Sequence, residues 1–167
     1  MPKLNWQDWK QKQKGNIDMV LDIKYIPSEG GKIAAKPFYA TEGSAGMDLS
    51  ACIDEPVTIK KGEIKIIPTG IAIALKDSNY VAYIYARSGL ACKKGICLAN
   101  SVVVIDSDYR GELKCALINL GQEDFVVNHG DRIAQLVISP VCQAEIVECE
   151  SLDDTARGSG GFGSTGV

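Results

Sequence analysis

The stretch VTIKKGEIKIIPTGIAIAL, residues 57–75, decides which class of fold the chain can adopt. Apolar and β-branched side chains recur through it, and glycine and proline interrupt it at short intervals. β-Branched residues favour the extended backbone of a sheet, whereas glycine and proline supply the conformations that tight turns need. The stretch therefore predicts short successive β-strands.

The same pattern recurs along the rest of the chain and predicts further strands at 20–26, 80–86, 101–106, 112–121, 124–141 and 144–150. Residues 100–113 read as a β-hairpin with a tight turn at DSDYRG. One short helix is predicted after the RSG at 87–89, through LACKKG, with Gly95 at its end. Many short strands with little helix are typical of a β-barrel or sandwich of the jelly-roll type.

Length and composition bound the class of protein. The chain has 167 residues, of which 46% are apolar and 23% charged, and this fits a single globular domain. A net charge of −3 without a basic block beyond the first fifteen residues argues against binding to a nucleic-acid backbone. No apolar run is long enough to cross a membrane, and residues 1–18 are too polar for a signal peptide. We therefore expect a cytoplasmic protein that binds neither nucleic acid nor membrane.

Cysteine and histidine argue against several kinds of site. Six cysteines without a secretory signal or a regular spacing predict reduced, mostly buried thiols. The one histidine, His129, lies in the turn-like sequence VNHGDR, and there is no C-x-x-C pair. A structural zinc site and a catalytic triad built on histidine are therefore not expected.

The two ends of the chain differ from its middle. Residues 1–18 contain both tryptophans, Trp6 and Trp9, and two interpretations stay open: an amphipathic turn that packs the indoles on a surface, or a poorly ordered extension. Residues 19–150 form the predicted β domain. Residues 151–167 include the glycine-rich RGSGGFGSTG at 157–166, which has too little apolar surface to order itself.

Polar chemistry is concentrated in a few loops. Asp48 follows the small-residue turn SAG, and Arg87, Ser88 and Gly89 stand where a predicted strand gives way to the helix. Gln135 interrupts an otherwise apolar strand. Taken singly, each has an ordinary structural reading, as a turn cap, a helix start or an edge-strand polar residue.

Taken in order, these segments resemble the five motifs of the trimeric dUTPases, the deoxyuridine triphosphate nucleotidohydrolases. The matching sequences are AGMDL at 45–49, RSGL at 87–90, VIDSDYRG at 104–111, GDRIAQ at 130–135 and RGSGGFGSTG at 157–166. The resemblance covers about residue 19 to the end of the chain. It implies an all-β, jelly-roll-like homotrimer with one short helix, with each active site at a subunit junction and the C-terminal tail as a lid.

The resemblance also implies a reaction: hydrolysis of dUTP to dUMP and pyrophosphate, which limits uracil incorporation into DNA and supplies dUMP for dTTP synthesis. By the family pattern Asp106 activates the water that attacks the α-phosphorus, and Asp48 helps to hold Mg²⁺ through its water shell. The implied substrate-binding residues are Arg87, Ser88, Gly89, Asn100, Tyr109, Gln135, Arg157, Phe162 and Gly163. Tyr109 is expected under the sugar and Phe162 over the uracil.

One position departs from the family pattern, since Val103 stands where many relatives have glycine. Its side chain either faces the uracil pocket or points into the barrel. Two other functions stay open. One is a nucleotide-sensing regulator that engages a protein partner, and only the N-terminal extension favours it. The other is a deoxycytidine triphosphate deaminase of the same fold superfamily. The complete tail motif favours dUTP hydrolysis over the deaminase.

Overall fold

A computed structural model describes residues 19–161 of the chain, and this part contains twelve short β-strands and one helix. The strands are β1 (Asp22–Tyr25), β2 (Phe38–Tyr39), β3 (Met47–Ser50), β4 (Val57–Ile59), β5 (Ile64–Pro68), β6 (Ile71–Ala74), β7 (Tyr80–Ala86), β8 (Ile96–Leu98), β9 (Val102–Ile105), β10 (Lys114–Asn119), β11 (Phe125–Val127) and β12 (Arg132–Pro140). The helix, α1, spans Ser88–Lys94. The predicted all-β class with one short helix is confirmed.

The strands form four antiparallel sheets in the orders β1-β6, β5-β10-β8, β11-β4 and β2-β3-β12-β7-β9. Neighbours in a sheet are mostly distant in sequence, as in β3 beside β12. A single core cluster draws buried side chains from all four sheets, among them Leu49, Ile59, Ile73 and Leu117. The sheets therefore enclose one hydrophobic interior, as expected for a barrel or sandwich.

Helix α1 ends where the sequence predicts, but it begins at Ser88, two residues before the predicted stretch that follows Gly89. Gly95 follows it with a φ of 70°, and its N–H bonds back to the carbonyl of Ala91. A left-handed residue at this position is a common way to end a helix, and glycine adopts it without strain. In the described range 19–161 no helix is long and apolar enough to cross a membrane.

Two predictions about strands are wrong. Residues 144–150 form no strand in the described chain, because no other strand lies beside them to take their backbone hydrogen bonds. The predicted hairpin at 100–113 is not formed either, since β9 pairs with β7 while β10 pairs with β5 and β8. The turn at Asp106–Tyr109 exists, but the chain passes through it from one sheet to another.

The prediction for the cysteines is wrong in part, whereas one of the two alternatives for Val103 agrees with the structure. All six cysteines are free, but only Cys52 and Cys115 are buried, and Cys92, Cys142 and Cys149 are exposed, so the expectation of mostly buried thiols is wrong. Burial raises the pKa of the Cys115 thiol to about 12. Val103 is half-buried and packs against the core, which matches the second of its two alternatives.

Candidate functional site

The Asp48 cleft, as we name it, is a cavity of about 430 Å³ on the outer face of the five-stranded sheet. Strands β3, β7 and β12 and the start of α1 supply most of its walls. Its polar lining residues include Asp48, Arg87, Ser88, Gly89, Arg132 and Gln135. The structure thus brings together the residues of three of the sequence motifs.

Asp48 lies at the centre of this cleft between two arginines. Its Oδ1 is 3.0 Å from Nε of Arg87, and its Oδ2 is 2.8 Å from Nη1 of Arg132. A further bond joins the two arginines, since Nη1 of Arg87 donates to the backbone carbonyl of Arg132 at 3.0 Å. The Asp48 side chain is only 12% exposed, whereas those of Arg87 and Arg132 are 26% and 47% exposed. One carboxylate and two guanidinium groups leave a local charge of +1, which suits an anionic ligand.

A β-bulge allows Arg132 and Gln135 to share this cleft. Side chains three positions apart in a regular strand point to opposite faces of the sheet. In β12 the pairing with β3 shifts, because Arg132 pairs with Ser50 whereas Ala134 pairs with Leu49. The extra residue, Ile133, is accommodated by the bulge and is buried, so both polar side chains reach the same side.

Gln135 is fixed in the cleft wall and is not an edge-strand residue, since β12 lies between β3 and β7. Its Nε2 donates to the carbonyl of Ala86 at 3.0 Å. Gly46 faces it so closely that a Cβ there would lie 3.2 Å from Gln135 Oε1. The side-chain amide is therefore held in one orientation beside Arg87.

Asp106 lies elsewhere, in a second cavity of about 500 Å³ that we name the Asp106 cleft. Its lining includes Tyr80, Tyr83, Val104, Asp106 and Asp108. Asp106 is exposed and follows directly on β9. Its carboxylate is thus presented at the surface, next to the turn that begins with its own carbonyl.

The two clefts occupy opposite ends of the same sheet face. Ile105 pairs with Ala82 in β7, which places Asp106 beside the start of β7, whereas Arg87 directly follows the end of that strand at Ala86. Roughly six residues of strand separate these two places, or about 20 Å at about 3.3 Å per residue. Within one chain, Asp106 and the place between Arg87 and Gln135 are therefore about one strand length apart.

Asn100 and Tyr109 flank β9 and its following turn. Asn100 is exposed in the turn before β9, and its carbonyl accepts the N–H of Val102 at 2.7 Å. Tyr109 is 43% exposed, and its hydroxyl donates to the Glu112 carbonyl at 3.0 Å. Its ring lies against Gly111, where an added Cβ would clash with the phenol. The absence of a side chain at Gly111 therefore leaves room for the Tyr109 ring.

The glycine-rich tail is described only as far as Gly161. Arg157 is exposed, and its Nε donates to the Gly160 carbonyl at 2.9 Å, within a turn that also contains Gly158 at a φ of 51°. Arg157 lines neither cleft. The predicted substrate contacts Phe162 and Gly163 lie outside the described residues.

Arg132 and Tyr85, which line the Asp48 cleft, were not among the predicted site residues, and neither was Gly111, which packs against Tyr109. Arg132 lies within the quoted motif GDRIAQ, and its charge was the available signal. Tyr85 pairs directly with Gln135 across the sheet, a neighbour relation that depends on strand register. Gly111 is the last residue of the VIDSDYRG motif, but its close contact with Tyr109 is visible only in the structure.

Comparison with known proteins places these clefts in a family context. The dUTPase family model matches residues 33–166. A curated relative, the deoxyuridine 5'-triphosphate nucleotidohydrolase of Rickettsia felis, is 62% identical over 145 residues, which cover 87% of this chain and 95% of the relative. Both likenesses extend over the residues that form the two clefts.

Phage dUTPases are among the solved structures that resemble this one. The Staphylococcus bacteriophage 80alpha dUTPase with dUPNHPP is 26% identical, with a TM-score of 0.78 over 89% of this chain and 99% of the phage chain. A mutant of the dUTPase from phage phi11 of S. aureus, described with a coordinated structural Mg(II) ion, is 23% identical. Its TM-score is 0.69, over 79% of this chain and 97% of the other.

Proposed function

The chain belongs to the dUTPase family, and we propose that it hydrolyses dUTP to dUMP and pyrophosphate in a site completed by more than one copy of the chain. Membership of this family makes the chain an enzyme, and the family's fold agrees with the predicted jelly-roll-like type. The proposal of a shared site rests on one observation: the Asp48 cleft and Asp106 lie at opposite ends of one sheet face.

The Asp48 cleft is the proposed binding place of the triphosphate. Arg87 and Arg132 present guanidinium groups there, and both are fixed by the same carboxylate. Ser88 and Gly89 line the cleft from the start of α1, and Gln135 lines it from β12. Fixed cationic donors hold phosphoryl oxygens in a defined geometry and stabilise the charge that develops during phosphoryl transfer.

Asp106 is the proposed general base. Its carboxylate accepts a proton from a water molecule while the water oxygen attacks the α-phosphorus, and the bond from that phosphorus to the bridging oxygen breaks. The electron pair of that bond leaves with pyrophosphate. The exposed position of Asp106, beside the turn after β9, makes the carboxylate available to a neighbouring copy's ligand.

The base and the sugar are recognised, in this proposal, by the segment from Asn100 to Tyr109. Main-chain groups between Asn100 and Asp106 read the hydrogen-bonding edge of uracil, which rejects cytosine because its donors and acceptors are mismatched. Tyr109 packs against the deoxyribose and leaves no room for a 2′-hydroxyl. The bond from its hydroxyl to Glu112 and its contact with Gly111 support this position of the ring.

The C-terminal tail is the proposed lid. Arg157 meets the charge of the triphosphate, Phe162 stacks on uracil, and Gly163 contributes close backbone approach. Since the described part of the tail lies against neither cleft, its contribution requires movement or a second copy. Closure by such a segment excludes water from the reacting groups.

A closed homotrimer explains how the two clefts meet. They are different surfaces of one chain, so bringing the Asp106 cleft of one copy to the Asp48 cleft of the next is a head-to-tail contact. Such contacts form a ring when the rotation between successive copies closes. Exposed apolar side chains support burial against another copy, since Ile146 is 91% exposed, Val147 76% and Val104 58%. Val104 lies in the Asp106 cleft itself.

The proposal includes Mg²⁺ as an ion that binds together with the triphosphate. Within residues 19–161 no group of three or more His, Cys, Asp or Glu side chains is placed to hold a metal ion. Both carboxylate oxygens of Asp48 already accept from guanidinium groups, so they fit poorly as the anchor of a cation's water shell. The geometry favours another role for Asp48, the positioning of Arg87 and Arg132. Mg²⁺ usually keeps several waters and binds through substrate phosphates together with one or two carboxylates.

The test is an assay of dUTP, dCTP, dTTP and UTP with Mg²⁺ and the full-length chain. We expect release of pyrophosphate from dUTP, with the other three nucleotides hydrolysed far more slowly. Release of ammonia from dCTP would assign the chain to the deaminases of the same fold. Equal hydrolysis of all four nucleotides would contradict the proposed roles of the Asn100–Tyr109 segment.

A further inference from the structure

An apolar groove lies on the side of the five-stranded sheet away from the Asp48 cleft. It has a volume of about 380 Å³, and its walls include Met19, Leu21, Tyr39, Met47, Tyr80 and Ile138. Among the residues that the structure describes, no charged side chain lines it. A groove of this composition favours aromatic or aliphatic side chains as its occupant.

The register of β2 and β3 shows that this groove is separate from the triphosphate cleft. Tyr39 pairs with Met47, and Phe38 pairs with Asp48. Successive side chains of a strand point to opposite faces, so Tyr39 and Met47 lie on the face opposite Asp48. Met47 is buried, but the ring of Tyr39 is 53% exposed, so the groove is open to an occupant on this side.

We propose that residues 1–18 of the same chain occupy this groove through Trp6 and Trp9. Met19 is itself a groove residue, so the segment that precedes it starts at the groove wall. The family match begins at residue 33, so residues 1–18 lie outside the part of the chain that family membership explains. The segment supplies the large aromatic side chains that an apolar groove accepts.

The length of residues 1–18 and their covalent attachment to the chain both favour this segment as the occupant of the groove. Trp9 lies ten positions before Met19, and an extended chain of that length spans about 33 Å, so the indoles can fold back onto the groove. Gly15 lies between them and permits a reversal of the backbone. A covalently attached segment has an effective concentration of about millimolar, which favours it over a separate partner of similar affinity.

Intrinsic fluorescence tests the proposal directly, because Trp6 and Trp9 are the only tryptophans in the chain. The full-length protein is compared with Tyr39→Lys, which places a charge at the half-exposed rim of the groove. Phe38→Lys is the matched control, since Phe38 is the next residue of the same strand, 47% exposed and on the opposite face. Emission wavelength and iodide quenching are measured for all three proteins.

We expect blue-shifted, iodide-protected emission in the unaltered protein and in Phe38→Lys, and a red shift with stronger quenching in Tyr39→Lys. Removal of residues 1–18 should increase the binding of an apolar dye such as anilinonaphthalene sulfonate, because the groove is uncovered. Water-exposed emission in the unaltered protein would overturn the proposal. Protection that survives Tyr39→Lys would also overturn it.

The other candidate occupant is a second copy of the chain, and a mixing experiment distinguishes it. Chains that carry Trp6 and Trp9 but have Tyr39→Lys are assembled with chains that have Trp6→Phe, Trp9→Phe and an intact groove. Under the proposal the indoles stay exposed in the mixture, because their own groove is blocked. Recovery of protection would place them in another copy's groove and contradict docking within one chain.

Discussion

At the scale of single residues, the most specific assignment is that of Asp106 as the base. Asp106→Asn should lower turnover by roughly two to four orders of magnitude, because the amide keeps the shape of the carboxylate but cannot accept the proton. Nucleotide affinity and melting temperature should change little, since Asp106 is exposed. Single-turnover kinetics with dUTP measure the effect.

Asp108→Asn is the matched control for this substitution, because Asp108 lines the same cleft and loses the same charge. It should retain turnover close to that of the unaltered protein. An Asp106→Asn protein of normal turnover, or equal losses in the two variants, would move the base to another residue.

A second residue-scale prediction concerns Gly111, whose missing side chain makes room for Tyr109. Gly111→Ala adds a Cβ that clashes with the phenol ring, so the ring has to move. If Tyr109 excludes the 2′-hydroxyl, the preference for dUTP over UTP should narrow in this variant. Competition kinetics with the two nucleotides measure the ratio, and Tyr109→Phe, which keeps the ring, should leave it nearly unchanged. A preserved ratio in Gly111→Ala would remove Tyr109 from sugar selection.

The residues of the clefts were predictable to different degrees. Asp48, Arg87 and Gln135 could be named from their motifs, and the structure places them in one cleft. Arg132 could not be chosen with the same reasoning, because its reach to Asp48 depends on the bulge at Ile133. A bulge inserts one extra residue into a strand. The alternation of apolar and polar residues does not reveal to which face of the sheet the side chains beside the bulge point.

At the scale of elements, the loop before β2 is tied to the loop before β4 by one carboxylate. Asp54 accepts from the Ser28 hydroxyl and, at 2.8 Å, from the Gly30 N–H. These bonds lower the pKa of Asp54, the Ser28 bond most of all. Their contribution to stability is therefore complete above the ordinary pKa of 3.8 and is lost as the pH falls through the lower value of the folded chain.

Asp54→Asn should reduce the loss of stability on acidification, because the asparagine side chain does not titrate. Urea midpoints at about pH 6 and about pH 3, on either side of the ordinary carboxyl pKa, give the difference for each protein. Glu55→Gln is the control, since Glu55 is the neighbouring exposed carboxylate and makes no such bonds to the 28–32 loop among the described contacts. A pH dependence that is the same in all three proteins would contradict the linkage to Asp54.

The tail carries the second prediction at this scale. A chain that ends after Asp154 should keep its melting temperature nearly unchanged, because residues 151–161 are largely exposed and lie outside the core cluster. Its hydrolysis of dUTP should collapse, because it lacks Arg157 and Phe162. Calorimetry and steady-state kinetics measure the two effects. Hydrolysis at the full-length rate would show that the tail is not a lid.

The order of strands was largely predictable, and their partners were not. Composition and alternation place strands within the stretches 57–75, 80–86 and 124–141, as the structure confirms. The stretch 144–150 has the same pattern but forms no strand in one chain, since a strand needs a neighbour as well as a propensity. The turn after Asp106 likewise does not reveal that β9 and β10 belong to different sheets.

At the scale of the whole molecule, the proposed shared site depends on how copies of the chain meet. The two clefts approach each other at Tyr83, which lines the Asp106 cleft, and Tyr85, which lines the Asp48 cleft, since their ring centroids are 5.9 Å apart. In the proposed ring of three copies, each Asp106 cleft would meet a neighbour's Asp48 cleft and this surface would be covered. The mass in solution should then be near three times 17.9 kDa.

The most direct test of the shared site is to mix two chains that are each inactive, Asp106→Asn and Arg87→Ala, and to allow their subunits to exchange. If a site takes Arg87 from one copy and Asp106 from the next, about one quarter of the sites in a random equal mixture contain both residues. Hydrolysis of dUTP should then recover to about that fraction of the unaltered rate, with a sedimentation mass near three chains. A mixture that stays as inactive as its two components, although exchange is complete, would show that each chain builds its site alone.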